Sequence, residues 1–229
     1  MSDTIDVDLW VWSLEVDGRE LQQLATILSD DEKTRAGRFV YDRDRRRFVV
    51  ARGTLRKLLA PLFGVPPAAI VFAYAAQGKP SVPAAPSLHF NLSHSENLAA
   101  LAVSRQREIG VDIEHVRALK EDVAERFFSA REVTALRAMP ADRQLEAFYR
   151  CWTRKEAIVK AIGEGLSHAL DSFDVTLGAD APAAVERFAG EADASRVWRL
   201  AHFDPAPGYM GAVACRTGGA ALSVRRFAV

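Results

Sequence analysis

The chain has 229 residues, 49% hydrophobic and 26% charged, and its 30 basic and 30 acidic side chains leave no formal net charge. That length suits one large globular domain or two small ones, and the charge balance argues against a general nucleic-acid binder. No run of about eighteen apolar residues predicts a membrane span, the acidic opening Met1–Asp8 does not resemble a signal peptide, and Cys151 and Cys215 show no zinc spacing, so the expectation is a reduced, cytoplasmic protein.

In chain order, a strand is predicted over Leu9–Val16, followed by a capping box at Ser29-Asp-Asp-Glu32 that opens a helix. An amphipathic helix follows over Arg45–Leu59, with apolar residues at three- and four-residue steps. A strand over Ala69–Ala75, a Pro-rich loop over Lys79–Ser87, a polar turn at Ser93-His94-Ser95 and a strand over Leu98–Ser104 complete the first series. A second series runs alike: strand Ile109–His115, box Ser129-Ala-Arg-Glu132, helix Gln144–Ile162, strand Ser172–Leu177, an exposed excursion over Ala179–Ala194, and strand Met210–Arg216 continued by Ala221–Phe227. Sliding the chain by 100 positions lays Val11–Val16 on Val111–Val116, box on box, Phe48 on Phe148, and Leu58-Leu59 on Ile158-Val159. The common register predicts an α+β fold of two similar α/β lobes, residues 1–105 and 106–229, related by a pseudo-twofold with a ligand cleft at the seam.

Four groups carry chemistry. In Gly110-Val-Asp-Ile-Glu114, strand alternation sends Val111 and Ile113 one way and Asp112 and Glu114 the other. Two carboxylates about 7 Å apart along a strand either line a solvated face or converge on a hard cation. In Trp152-Thr-Arg-Lys-Glu-Ala-Ile-Val-Lys160, Trp152, Glu156 and Lys160 share a helix face with Lys155 one position round; an ordinary i,i+4 ion pair is the alternative. Ser93, His94 and Ser95 form either a plain turn or a cradle for phosphate oxygens. Lys33, Arg35, Arg47 and Lys79 belong to a basic first half whose arginine forks suit phosphate. No P-loop, nucleophile elbow or HExxH zinc motif occurs.

In this order, Gly78-Lys-Pro80, Phe90-Asn-Leu-Ser-His-Ser95, Gly110-Val-Asp-Ile-Glu114 and Trp152-Thr-Arg-Lys-Glu156 resemble the signature of the 4′-phosphopantetheinyl transferases of the surfactin-synthetase-activating type. Arg126–Glu132 and Leu170–Asp174 are similar too, so the resemblance runs from about Asp31 to Val175. It implies a monomeric, two-lobed, Mg²⁺-dependent enzyme that moves the pantetheine arm of coenzyme A to a serine of an apo carrier protein of polyketide, non-ribosomal peptide or fatty-acid synthesis. Asp112, Glu114 and Glu156 would hold Mg²⁺ on the pyrophosphate, and Lys155 and Lys160 would neutralise it. Glu132 or Glu156 would take the serine proton. Lys33, Arg35, Arg47, Lys79, Ser93 and His94 would hold the nucleotide in the first lobe, and the second lobe would dock the carrier. Where a small hydroxyl residue can follow the basic residue, this chain has Phe48. The competing expectations are a metal-dependent phosphoesterase using the same carboxylates and a non-catalytic protein binding coenzyme A or a carrier.

Overall fold

The structure, a computed structural model, describes residues 4–119, 123–163 and 168–229. Strand β1 (Thr4–Ser13) starts earlier than expected because Ile5, Val7 and Leu9, all buried, alternate with Asp6 and Asp8. It stops before Asp17, whose carboxylate caps a helix absent from the sequence reading, α1 (Gly18–Thr26). The box at Ser29 opens α2 (Asp30–Ala36), and α3 (Asp42–Phe63) extends the expected helix at both ends until Gly64, at φ 66°, turns the chain left-handed.

The expected strand Ala69–Ala75 is instead a 3-10 turn at Pro67–Ala69 and a two-residue strand, β2 (Ala73–Tyr74), paired with β3 (Pro80–Ser81). The Arg56 guanidinium takes the carbonyls of Pro67 and Ile70, fastening this segment by a side chain rather than a ladder. The polar Ser93–Ser95 stretch is no turn: it ends strand β4 (His89–Ser95), which pairs with β5 (Leu98–Ser104) through a two-residue turn.

The second half has β6 (Ile109–His115), α4 (Val123–Phe127), α5 (Ala130–Arg137) opened by the Ser129 box, and α6 (Ala141–Ile162), which ends at left-handed Gly163. After a 3-10 turn at Leu170–Ser172, β7 (Phe173–Val175) covers part of the expected strand. The excursion is not wholly exposed: it folds back as β8 (Val185–Phe188), pairing with β7 and burying Val185. A short α7 (Ala194–Val197) leads to an unforeseen strand β9 (Trp198–Phe203), then β10 (Tyr209–Arg216) and β11 (Ala221–Phe227).

One sheet has the order β11-β1-β5-β4 and another β6-β10-β9. Leaving β11 aside, each half makes the same antiparallel sheet, with its last strand in the middle. Strand β11 does not continue the second half as expected. It returns to pair parallel with β1, where Leu222 and Val224 meet the apolar residues of β1.

Helix α3 packs through Leu55 and Leu59 against Trp12 and Leu101, and α6 packs through Ala157 and Ile158 against Ala212 and Ala214. A third core lies between the sheets, built from Val7, Leu9, Ile109, Val111, Ile113 and Val213. Gly110 sets the spacing of α6 on β6: a Cβ there would lie 2.0 Å from the Ala157 carbonyl oxygen and 2.5 Å from the Ala161 nitrogen. Among the described residues, no helix is long and apolar enough to cross a membrane.

Candidate functional site

The site begins where β4 meets β6. Strand β4 presents side chains to β6 instead of backbone: Asn91 Oδ1 accepts the Val111 amide at 2.9 Å, Ser93 Oγ the Ile113 amide at 3.4 Å, and Ser95 Oγ the His115 amide at 3.1 Å. The two hydroxyls also donate, Ser93 to Asp112 Oδ1 at 2.9 Å and Ser95 to Glu114 Oε2 at 2.6 Å. Ser93 is therefore buried and occupied at the seam, not free for a phosphate as expected.

Asp112 is buried, and Lys160 Nζ sits 2.5 Å from its Oδ1 while Oδ2 has no hydrogen-bond partner among the described residues. Lys160 also donates to Ser93 Oγ at 3.0 Å. Glu156 and Glu114 are half-buried. Loss of solvation, then the neighbouring Asp112 charge, holds the Glu156 carboxyl above its ordinary value. Glu114 is raised mainly by burial, against the Ser95 hydrogen bond. Trp152, Glu156 and Lys160 are the half-buried positions along this stretch of α6 and share the face expected of them. The carboxylates feel one another, but among the described residues no three groups already converge on a single ion position.

On one side of this seam lies a cleft of about 440 Å³ lined by Arg35, Phe39, Arg47, Phe48, Arg52 and His94, among others. Arg35 stacks 5.3 Å over Phe48, and Arg47 leans on Glu96 at 3.3 Å and on Asn97. Crowding within the cleft, then Lys160, keeps the His94 imidazole below its ordinary value although its edge meets solvent. On the other side of Glu114 is an apolar hollow of about 500 Å³ with Phe148, Tyr149, Trp152 and Arg117 in its walls. Lys79 bonds Glu108 at 2.7 Å and shares a smaller hollow with Asn91, Lys160 and Gly163.

Three expected site residues lie elsewhere. Lys155 is fully buried, its Nζ 2.7 Å from Glu132 and within 2.6 Å of the Leu170 and 2.5 Å of the Phe173 carbonyl oxygens. Glu132 is equally enclosed: besides Lys155 it accepts the Ser129 and Val175 amides, which occupy both of its oxygens. Lys33 is exposed beside Asp30 and does not line the cleft. Phe39, given no role by the sequence, also lines the cleft beside Arg52, and Asn91 and Ser95 bridge the seam, where the sequence suggested only a phosphate-holding turn for Ser95. The period-two spacing of Asn91, Ser93 and Ser95 was the available signal for the seam.

With this geometry in view, two family models match the chain. One, described as the 4′-phosphopantetheinyl transferase superfamily, covers residues 108–214, and one described as 4′-phosphopantetheinyl transferase, N-terminal, covers residues 13–106. The 4′-phosphopantetheinyl transferase HetI of Nostoc sp. (strain PCC 7120) is 39% identical over 214 residues, 91% of this chain and 87% of that protein. The 4′-phosphopantetheinyl transferase psf-1 of Bacillus pumilus is 35% identical over 90% of this chain and 86% of its own. The 4′-phosphopantetheinyl transferase Sfp of Bacillus subtilis (strain 168) is 33% identical over 73% of this chain and 74% of its own.

Proposed function

The chain belongs to the 4′-phosphopantetheinyl transferase superfamily, and from that premise we propose that it transfers the 4′-phosphopantetheine group of coenzyme A to a carrier-protein serine, releasing adenosine 3′,5′-bisphosphate. One observation carries this reading: the arginine-lined cleft and the carboxylates of β6 and α6 meet at one strand, through the Ser95–Glu114 hydrogen bond. A phosphate-rich nucleotide in that cleft would present its pyrophosphate to Asp112, Glu114, Glu156 and Lys160. We further read the two like sheets as lobes related by a pseudo-twofold, with the active site at their interface in a monomer.

In this reading Arg35, Arg47 and His94 bind the nucleotide phosphates by charge-assisted and neutral hydrogen bonds, and Lys79 approaches from the Lys160 side. The Oδ2 of Asp112, unpartnered among the described residues, forms with Glu114 and Glu156 an all-oxygen donor set suited to Mg²⁺. Mg²⁺ takes one or two carboxylates and completes its shell with waters and substrate phosphates, so a closed protein cage is not required. When bound, it would neutralise charge building on the pyrophosphate. The carrier serine oxygen attacks the phosphorus bearing the pantetheine arm. A new O–P bond forms as the P–O bond to the adenosine bisphosphate breaks. The serine proton passes to Glu156, directly or through water, since Glu132 is sealed. Lys160 stands by to hydrogen-bond the departing oxygen. The apolar hollow beyond Glu114 takes the pantetheine arm near a carrier docked on the second half.

The test incubates the chain with coenzyme A, Mg²⁺ and an apo carrier of polyketide, peptide or fatty-acid synthesis, read by intact mass. Carrier gains the phosphopantetheine mass if the proposal holds; free phosphopantetheine released without carrier would overturn it. Asp112→Ala is expected to abolish transfer and to lower the metal-free melting temperature, because it strands the Lys160 ammonium and the Ser93 hydroxyl, while Mg²⁺ stabilises it less than wild type.

A further inference from the structure

The seam between β4 and β6 has two kinds of rung. Asn91 only accepts an amide, that of Val111. Ser95 accepts the His115 amide and gives its own proton to Glu114. A hydroxyl has one donor and two acceptor sites, so it does both at once. Ser93 makes the same relay to Asp112, but Lys160 holds that carboxylate as well. Among the described residues Glu114 has no such second clamp, and the one side-chain hydrogen-bond donor to it is Ser95. Its strand neighbours fix its backbone through Met210 of β10, which leaves the carboxylate's rotation to the serine.

We infer that Ser95 is a positioning residue: its hydroxyl ties the backbone of β6 to the Glu114 carboxylate and holds that carboxylate in reach of Asp112 and Glu156, where a divalent cation would sit. The inference rests on the transferase reading for its reaction, but the orientation of Glu114 is a property of the free protein. Hydrogen bonds that orient ligating groups are commonly worth roughly 10–100-fold in metal affinity. Asn91 supplies the control, because its rung belongs to the same seam and touches no carboxylate.

The test measures Mn²⁺ affinity by electron paramagnetic resonance in the presence of coenzyme A and the absence of carrier, alongside melting temperature and transfer kinetics. Ser95→Ala should weaken Mn²⁺ by about tenfold and lower kcat comparably, with KM for coenzyme A within about twofold. Ser95→Thr, which keeps the hydroxyl, should restore both. Asn91→Ala should lower the melting temperature while leaving Mn²⁺ affinity within about threefold. Should Ser95→Ala fail to fold, Ser95→Cys, a weaker donor of similar size, should show the same weakening in part. Wild-type Mn²⁺ affinity in Ser95→Ala or Ser95→Cys overturns the inference, as does equal weakening by Asn91→Ala, which would assign the effect to the seam as a whole. Failure of wild type to label any carrier sinks the transferase reading instead and leaves the Mn²⁺ comparison standing.

Discussion

Lys155→Met removes a cation that the fold has placed in its interior. In the structure Lys155 Nζ meets Glu132 at 2.7 Å and two carbonyl oxygens, and stands 4.4 Å over the Phe173 ring. Methionine fills similar space but donates nothing. Glu132 would keep its two amide donors and lose the charge that balances it, with no water to replace it. Breaking a buried pair from one side costs about 3–5 kcal/mol. In a chain of this length each kcal/mol moves the melting temperature by about 2–4 °C, so a fall of roughly 6–20 °C is expected. Adding Glu132→Gln removes the stranded charge and should recover half the loss or more. Circular dichroism melts of the wild type, both single variants and the double variant measure this. Transfer at low temperature, on folded protein, should stay within about threefold of wild type for Lys155→Met. A melting temperature within about 2 °C of wild type together with a hundredfold loss of kcat would refute the reasoning and return Lys155 to the phosphates.

Gly110→Ala should prevent folding or force α6 off β6, because the new methyl meets helix backbone at 2.0 Å rather than a flexible side chain; a soluble variant melting near the wild-type temperature would contradict this. His94→Ala should raise KM for coenzyme A with little change in kcat, as expected of a ground-state contact. The crowded His94 imidazole titrates below its ordinary value, so it is mostly neutral at pH 7.5 and gains charge only as pH falls. Its contribution to binding should therefore grow on acidification. The ratio of KM values, variant over wild type, should rise from pH 7.5 to 5.5, and this ratio cancels the titration of the substrate phosphate. A ratio that is flat or falls over that range would remove His94 from phosphate binding.

Patterning made the frame legible and misplaced parts of the site. Strands Leu98–Ser104, Ile109–His115 and Ala221–Phe227 match the structure at both ends because alternation and turn residues bound them. The sheet that Ala221–Phe227 joins was not legible, since strand pairing across more than 200 residues leaves no local trace. Ser93–Ser95 reads as a turn because its polar residues suggest solvent, whereas Asn91, Ser93 and Ser95 alternate along β4 to accept amides of β6. The short β2 and β7 were drawn too long for a related reason. Arg56 satisfies the Ile70 carbonyl that a longer β2 would have given to a ladder, and Lys155 takes the Phe173 carbonyl where β7 begins.

The misplaced lysine follows from one residue of register. The capping boxes lie 100 positions apart, but the two long helices, Asp42–Phe63 and Ala141–Ile162, lie 99 apart. At 99, Arg56 stands over Lys155, not Glu156. Both then do the same work: Arg56 pairs with the box glutamate Glu32 at 2.7 Å as Lys155 does with Glu132, and each also fastens two carbonyls of the segment after its helix. Adjacent residues of a helix point about 100° apart, so Lys155 enters the core while Glu156 reaches the seam. A group that recurs at equivalent places in both halves is scaffold, because only one half lines the site with acid. On the proposed reading, the residues that differ carry the chemistry. Asp112 stands where β1 has the buried Trp12, and at the helix register Glu156 and Lys160 stand where α3 has Lys57 and Pro61. That rule places Lys155 and Glu132 with the fold and keeps Asp112, Glu156 and Lys160 as the proposed reaction site. The same melts and kinetics described for Lys155 decide it, since Arg56→Met should cost the fold as Lys155→Met does and leave transfer by folded protein equally intact.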